Sequence, residues 1–270
     1  MPVIAVINRK GGSGKSTMAT HLAAWLARQG AAVMLGDIDR QQSTRTWLKR
    51  RSDQLPAIAP WAIDQKNVLK VPPGVTHVVL DTPGGLHGFE LAKVVMAAHA
   101  VLIPVCNSVF DRESASACIA ELMTLPRLVT GRCRLGVVGM RVDARTHAAQ
   151  TLREWAQALD IPFLGVLRET QSYVRSLECG QTIFDLRGAA NKPDLEQWEP
   201  ILDWLHPVTQ LPQPVATPKP VALGERIQAP RPASLMPAQE SLVHGGRLSV
   251  FAPSQRIAHN ADAPSFLLRQ

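Results

Sequence analysis

The stretch that most constrains this chain is Val3 to Thr17, reading VIAVINRKGGSGKST. An apolar β-branched run, Val3–Ile7, leads straight into a glycine-rich segment that ends on Lys15, Ser16 and Thr17. Glycines let successive backbone N–H groups turn inward around phosphate oxygens, and a helix starting at Lys15 would aim its N-terminal amides at the same anion. In such a loop Lys15 reaches the β- and γ-phosphates and the Ser16 hydroxyl ligates Mg²⁺. The strict G-x-x-x-x-G-K-[ST] spacing asks for glycine at position 9, where this chain carries Arg9. A second lysine, Lys10, stands five residues before Lys15.

A strand–loop–helix unit of this kind needs a parallel sheet around it, and residues 1–206 supply the pattern. Short apolar runs recur at Val3–Ile7, Ala32–Leu35, His77–Leu80, Val101–Val105, Leu135–Val142 and Phe163–Leu167. Between them lie apolar residues at helical spacing, such as Met18, Leu22, Trp25 and Leu26, or Leu152, Trp155, Ala156 and Leu159. Strands that read as continuous apolar runs and alternate with helices predict an α/β fold: a mostly parallel twisted sheet with helices on both faces. A last helix is expected from about Asp194 to Leu205, ending near Pro207.

Composition changes beyond residue 206. Ten of the 21 prolines fall in residues 207–270, whereas all six tryptophans and the single tyrosine precede it. Proline removes donors and restricts its neighbours, so LPQPVATPKPVAL holds neither a helix nor an inner strand. The expected division is therefore a domain over 1–206 and a disordered tail over 207–270. Two short apolar clusters in the tail, GRLSVFAP and PSFLLRQ, are either partner-binding motifs or nothing specific.

The net charge of +7 is spread along the chain without a long basic run, which favours contact with polyanions without establishing it. No apolar run reaches membrane-span length, and the N-terminus lacks a signal-peptide succession. Cys106, Cys118, Cys133 and Cys179 are far apart, with no Cys-x-x-Cys pair, and read as structural thiols of a reducing cytoplasm.

Lys10-Gly11-Gly12-Ser13-Gly14-Lys15-Ser16-Thr17 resembles the deviant Walker A motif of the ParA/MinD family of P-loop ATPases. The resemblance implies that all eight residues bind ATP, and that Lys10 crosses a dimer interface to the phosphates of the partner's nucleotide. GDIDRQQS resembles the family's Asp-x-Asp-Pro-Gln element, with Arg40 in place of the proline. By that match Asp39 orients the attacking water and Asp37 lies near the Mg²⁺ shell; taken singly, either aspartate also fits a helix cap. THVVLDTPGG resembles the Walker B strand and switch II. It implies that Asp81 holds Mg²⁺, alongside Ser16, and that Gly84 and Gly85 let the loop move.

The resemblance covers about residues 1–206 and is strongest to short ParA proteins. It implies an ATPase that dimerises on ATP, binds DNA without sequence preference and positions or segregates a cargo (a plasmid, a chromosome or a large protein assembly). A ParB-like or cargo-bound partner would stimulate hydrolysis, and the protein would be cytoplasmic and nucleoid-associated. PSFLLRQ is too short for a membrane-binding amphipathic helix, so no membrane partner is expected. Candidate DNA contacts are Arg168, Arg175, Arg187 and Lys192, whose alternative is ordinary solvated charge. An iron–sulfur reductase would need a cysteine soon after Asp81, and a bacterial tyrosine kinase a tyrosine-rich tail; neither is present. A metabolic ligase or a regulator of polysaccharide synthesis on the same fold stays open.

Overall fold

The computed structural model describes residues 1–39, 41–62 and 71–210. Their strands are β1 (Val3–Val6), β2 (Val33–Asp37), β3 (Ile58–Ala62), β4 (His77–Asp81), β5 (Ala100–Val105), β6 (Arg134–Met140) and β7 (Phe163–Leu167). Their helices are α1 (Lys15–Arg28), α2 (Ser43–Leu48), α3 (Gly88–Ala97), α4 (Val109–Leu122), α5 (Pro126–Val129), α6 (His147–Ala158), α7 (Gln171–Glu178) and α8 (Lys192–Thr209), with a 3-10 turn at Ala189–Asn191. The strands form one sheet in the order β3-β2-β4-β1-β5-β6-β7, and every neighbouring pair is parallel. The expected α/β class, with a parallel sheet covered on both faces, is what the chain adopts.

Alternate residues of each central strand enter opposite cores. Val3 and Ala5 of β1, with Val101, Ile103 and Val105 of β5, pack with Leu91 and Val95 of α3, Cys118 and Leu122 of α4, and Leu152 of α6. Ile4 and Val6, with Leu102, pack with Met18 and Leu22 of α1, Trp47 of α2, and Trp198, Ile201 and Leu205 of α8. Both strand faces are dry, so the strands read in the sequence as unbroken apolar runs.

The connections place the site. From β1 the chain passes through α1 to β2, on one side of β1; from β4 it passes through α3 to β5, on the other. The adjacent strands β1 and β4 therefore send their loops in opposite directions, which opens a crevice at their carboxyl ends. In the register Asp81 pairs with Val6 on one side and with Asp37 on the other. The ends of β1, β4 and β2 thus stand level at that crevice.

Two sequence expectations need correction. β3 was not among the expected strands, because Pro60 interrupts IAPWA. Among the described residues it is the edge strand beside β2, where a proline is tolerated because one row of backbone groups has no neighbouring strand. The last helix begins at Lys192 and runs through Pro207 to Thr209. Trp198, Ile201 and Leu205 bury one face along its length, and the Thr209 carbonyl lies 3.0 Å from Nε2 of His77. Those contacts hold the final turn although Pro207 lacks an N–H. Residues 211–270, most of the segment expected to be a disordered tail, lie outside the described residues, as does Arg40.

Under α1 a fully buried His21 locks the loop's helix to the C-terminal elements. Its ring stacks on Trp198 with centroids 5.5 Å apart and lies 5.0 Å from Tyr173, while Trp198 Nε1 donates to the Tyr173 hydroxyl at 2.9 Å. Nε2 accepts from the Ile183 N–H at 3.3 Å, so Nδ1 carries the proton and donates to the Thr17 carbonyl at 2.7 Å. Burial pushes the His21 pKa down to about 4, against the Thr17 bond, which raises it. The folded state therefore keeps His21 neutral while the unfolded chain takes up its proton below about 6.5. Its contribution is intact above pH 6.5 and is lost as pH falls toward 4. Urea unfolding at pH 7 and 4.5 should show that a His21→Phe variant loses less stability on acidification than the wild type, by roughly 2–3 kcal/mol.

Candidate functional site

The loop between β1 and α1 is shaped first by Asn8, a residue to which the sequence reading assigned no role. Fully buried, it donates through Nδ2 to the Pro104 carbonyl at 2.7 Å, and its Oδ1 accepts from the Lys10 N–H at 2.9 Å. That short side-chain-to-backbone turn starts the loop. Gly12 and Gly14 sit at φ of 74° and 97°, the left-handed region where a Cβ is costly. Gly14 is the N-cap of α1 and supplies no side-chain acceptor, so the helix's first amides remain available to an anion. Ser13 Oγ is buried there with no hydrogen-bond partner among the described residues.

Lys15, the first residue of α1, is also buried and folds back to donate from Nζ to the Lys10 carbonyl at 3.0 Å. Burial lowers its pKa, and the charges of Asp81 and Asp39 oppose that by raising it. Asp81 closes β4 opposite. Both its carboxylate oxygens are sealed from water and have no hydrogen-bond partner of good geometry. Burial pushes its pKa up to about 7; the nearby Ser16 hydroxyl and Lys15 lower it, while Asp37 and Asp39 raise it. Thr82, the next residue, ties the strand end to β1 by donating to the Val6 carbonyl at 2.8 Å.

The two remaining aspartates differ. Asp37 ends β2, and its Oδ2 accepts from the Thr44 hydroxyl at 2.7 Å and from the N–H groups of Thr44 and Arg45 at 3.1 and 3.2 Å. Its Oδ1 accepts from the Asp39 N–H at 3.0 Å. In this arrangement Asp37 caps the first turn of α2, which leaves only Oδ1 with a spare lone pair. Asp39 uses Oδ1 for the Gln41 N–H at 3.0 Å and stays partly exposed at the crevice mouth.

Lys10 is held inside its own chain. Its Nζ lies 2.6 Å from Oδ1 of Asp111 in the first turn of α4, and 37% of its side chain remains exposed. Lys10 and the Ser108 hydroxyl hold the Asp111 carboxyl below the usual carboxylate range, against its burial. Segment Gly84–Gly85 lies on the loop: Gly85 N–H donates to the Arg9 carbonyl at 2.7 Å, and a Cβ on Gly84 would fall 3.3 Å from that oxygen and 3.4 Å from the Gly11 nitrogen.

The four basic candidates farther along do not behave alike. Arg168 follows β7, and its Nε lies 2.6 Å from Oδ1 of the fully buried Asp194. Lys192 lies 3.8 Å from Glu196. Arg175 and Arg187 are exposed and, among the described residues, have no carboxylate partner.

The residues present fit a magnesium nucleotide. Orphaned oxygens on Asp81 and Ser13, the Ser16 hydroxyl, a buried Lys15 and uncapped amides combine hard oxygen ligands with anion donors. No cluster of three or more His, Cys, Asp or Glu side chains forms a metal cage among the described residues.

Comparison with known proteins places the chain in a family. The model of the CobQ/CobB/MinD/ParA nucleotide-binding domain matches residues 4–183. Maintenance of carboxysome distribution protein A from Gloeobacter kilaueensis is 33% identical over 197 residues, covering 69% of this chain and 85% of that protein. The protein of the same name from Halothiobacillus neapolitanus is 26% identical over 210 residues, covering 76% and 96%. The structure of apo McdA from Cyanothece superposes with a TM-score of 0.62 at 17% identity, covering 76% of this chain and 99% of that one, a likeness of fold.

Gly84→Ala should push the loop by a few tenths of an ångström and weaken nucleotide binding by roughly three- to tenfold, with the melting temperature almost unchanged. Titration with a fluorescent ATP analogue, beside a thermal melt, checks both halves.

Proposed function

The chain belongs to the CobQ/CobB/MinD/ParA nucleotide-binding domain family, and from that premise we propose that it is a Mg-ATP-dependent positioning ATPase. ATP closes a homodimer, the dimer binds DNA without sequence preference, and a cargo-bound adaptor protein stimulates hydrolysis and release. One observation carries the ATPase reading: a glycine loop and its lysine face a buried, partnerless carboxylate at the β1–β4 crevice. The relatives named for carboxysome distribution favour a large protein assembly as cargo over a plasmid or chromosome.

In this reading the amides of Lys10 to Thr17 wrap the phosphate chain, and Lys15 leaves the Lys10 carbonyl to meet the β- and γ-phosphates. Ser16 and Asp81 would hold Mg²⁺, which when bound neutralises charge developing between the β- and γ-oxygens. Asp39, at the mouth, accepts a hydrogen bond from the attacking water and orients it in line with the γ-phosphorus. Asp37 serves this indirectly, by fixing the start of α2 and so the backbone at Asp39. Lys10 exchanges Asp111 for the γ-phosphate of a second copy's nucleotide. A partly exposed lysine five residues from the buried one suits that crossing: a compact, well-hydrated charge on a flexible stem moves between two anions at little cost.

Lys10→Ala should abolish ATP-dependent dimerisation while ATP affinity stays within about threefold, because Lys15 and the loop amides remain. Lys15→Ala should weaken nucleotide binding itself. Light scattering with a non-hydrolysable ATP analogue separates the two; a Lys10→Ala protein that dimerises like the wild type overturns the crossing role.

DNA contact rests on Arg175 and Arg187, whose guanidinium groups are exposed. With Asp39→Ala to hold the ATP dimer, duplex DNA of any sequence should bind, with a log–log salt slope of about −0.9 per phosphate neutralised. Arg175→Glu and Arg187→Glu should lower that affinity without changing dimerisation. Arg168→Glu should instead destabilise the fold by leaving Asp194 buried beside a second carboxylate. An ATP dimer with no affinity for DNA in low salt removes the nucleic-acid part of the proposal.

A further inference from the structure

Arg9 stands where the strict loop pattern asks for glycine, and the proposed chemistry leaves it without a role. Its guanidinium pairs with Oε2 of Glu121, near the end of α4; the two side chains are 29% and 26% exposed. The other oxygen of that carboxylate, Oε1, accepts from the Gly88 N–H at 2.6 Å, at the first turn of α3. Arg9's own carbonyl accepts from Gly85 N–H at 2.7 Å. Residues 84–88 are therefore fastened to the phosphate loop from two sides: by backbone at Gly85, and at Gly88 through one carboxylate that bridges to the Arg9 side chain.

Lys10, the next residue, reaches Asp111 at the opposite end of α4. The two anchors, Asp111 and Glu121, are ten residues apart in that helix, about 15 Å at 1.5 Å per residue, so adjacent loop cations hold α4 near both ends. Release of Lys10 leaves the Arg9–Glu121 pair in place at the other end of α4. A glycine at position 9 would keep the carbonyl bond to Gly85 and lose everything that passes through Glu121.

We propose that Arg9 and Glu121 are positioning residues that clamp segment Gly84–Gly88 onto the phosphate loop and hold it in the arrangement that hydrolysis requires. The inference rests on the ATPase reading for its consequence and on the Arg9–Glu121–Gly88 contacts for its geometry. The two side chains act through the backbone of Gly88, while the Gly85 bond is made by Arg9's own carbonyl. Charge-assisted bonds to a shared carboxylate are directional, and a half-buried pair is screened less than a fully exposed one.

The test uses the full chain without nucleotide, reading amide exchange at Gly85 and Gly88 by NMR. Arg9→Gly should speed exchange at Gly88 about tenfold, although it removes no atom bonded to that amide, because the carboxylate loses its anchor. Glu121→Gln, which keeps a carbonyl for Gly88 but not the charge for Arg9, should do the same, and Arg9→Lys should restore protection to within about threefold. In Mg-ATP hydrolysis Arg9→Gly and Glu121→Gln should lower kcat about tenfold with ATP affinity within about threefold, and Arg9→Lys should recover most of it. Unchanged Gly88 exchange in both variants overturns the clamp. Faster exchange with wild-type kcat overturns its part in hydrolysis. A wild-type chain that hydrolyses no ATP overturns the ATPase reading alone, since the exchange measurement still decides the clamp.

Discussion

The structure depends on a register. Parallel pairing sets Val6, Asp81 and Asp37 level at the carboxyl ends of β1, β4 and β2. Shifting β4 by one residue would carry Asp81 to the other face of the sheet and put Leu80 at the crevice, because side chains alternate along a strand. The dry cores on both faces make that slip expensive. Apolar burial therefore fixes the position of the most polar group in the site, and the glycine loop, Lys15 and Ser16 converge on a carboxylate that the fold strips of water and leaves without a partner.

Several other charges are paired within the chain. Asp37 is taken up by α2, Lys10 by Asp111, Arg9 by Glu121 and Arg168 by Asp194. A buried carboxylate beside a lysine, a hydroxyl and loop cations paired within the chain is suited to a ligand that brings both a cation and phosphates. In the proposed reading a magnesium nucleotide would satisfy Asp81 and compete for Lys15 and Lys10 together, so the energetic consequence would reach α4 and the segment after β4 as well as the loop. Gly84, lying so close to Arg9 and Gly11 that a Cβ would crowd them, is the mechanical side of the same coupling.

What was legible in the sequence was what local chemistry dictates. The glycines of the loop, the apolar strands and the aspartate at the end of β4 announce themselves because each needs a particular residue type in a particular order. β3 escaped notice because Pro60 is compatible with a strand only at an edge, and edges belong to the assembled sheet. The final helix was expected to stop near Pro207, and runs on because contacts from β4 and the core hold its last turn. Asn8 carried no signal, since a polar residue after a strand reads as an ordinary turn until Pro104 is seen above it.

By itself the sequence determined the α/β class, the phosphate loop and the order of the acidic residues, all set by backbone conformation and by burial along short stretches. Only the tertiary structure decided which charges are free. Asp37 and Asp39 look interchangeable in GDIDRQQS, yet one caps a helix and the other faces the crevice mouth. Arg168 and Arg175 look alike as basic residues, yet one neutralises a buried carboxylate and the other is solvated. Pairing of this kind joins residues 26 to 112 positions apart, as in Arg168–Asp194 and Arg9–Glu121, and no local pattern encodes a partner that the fold alone brings within reach.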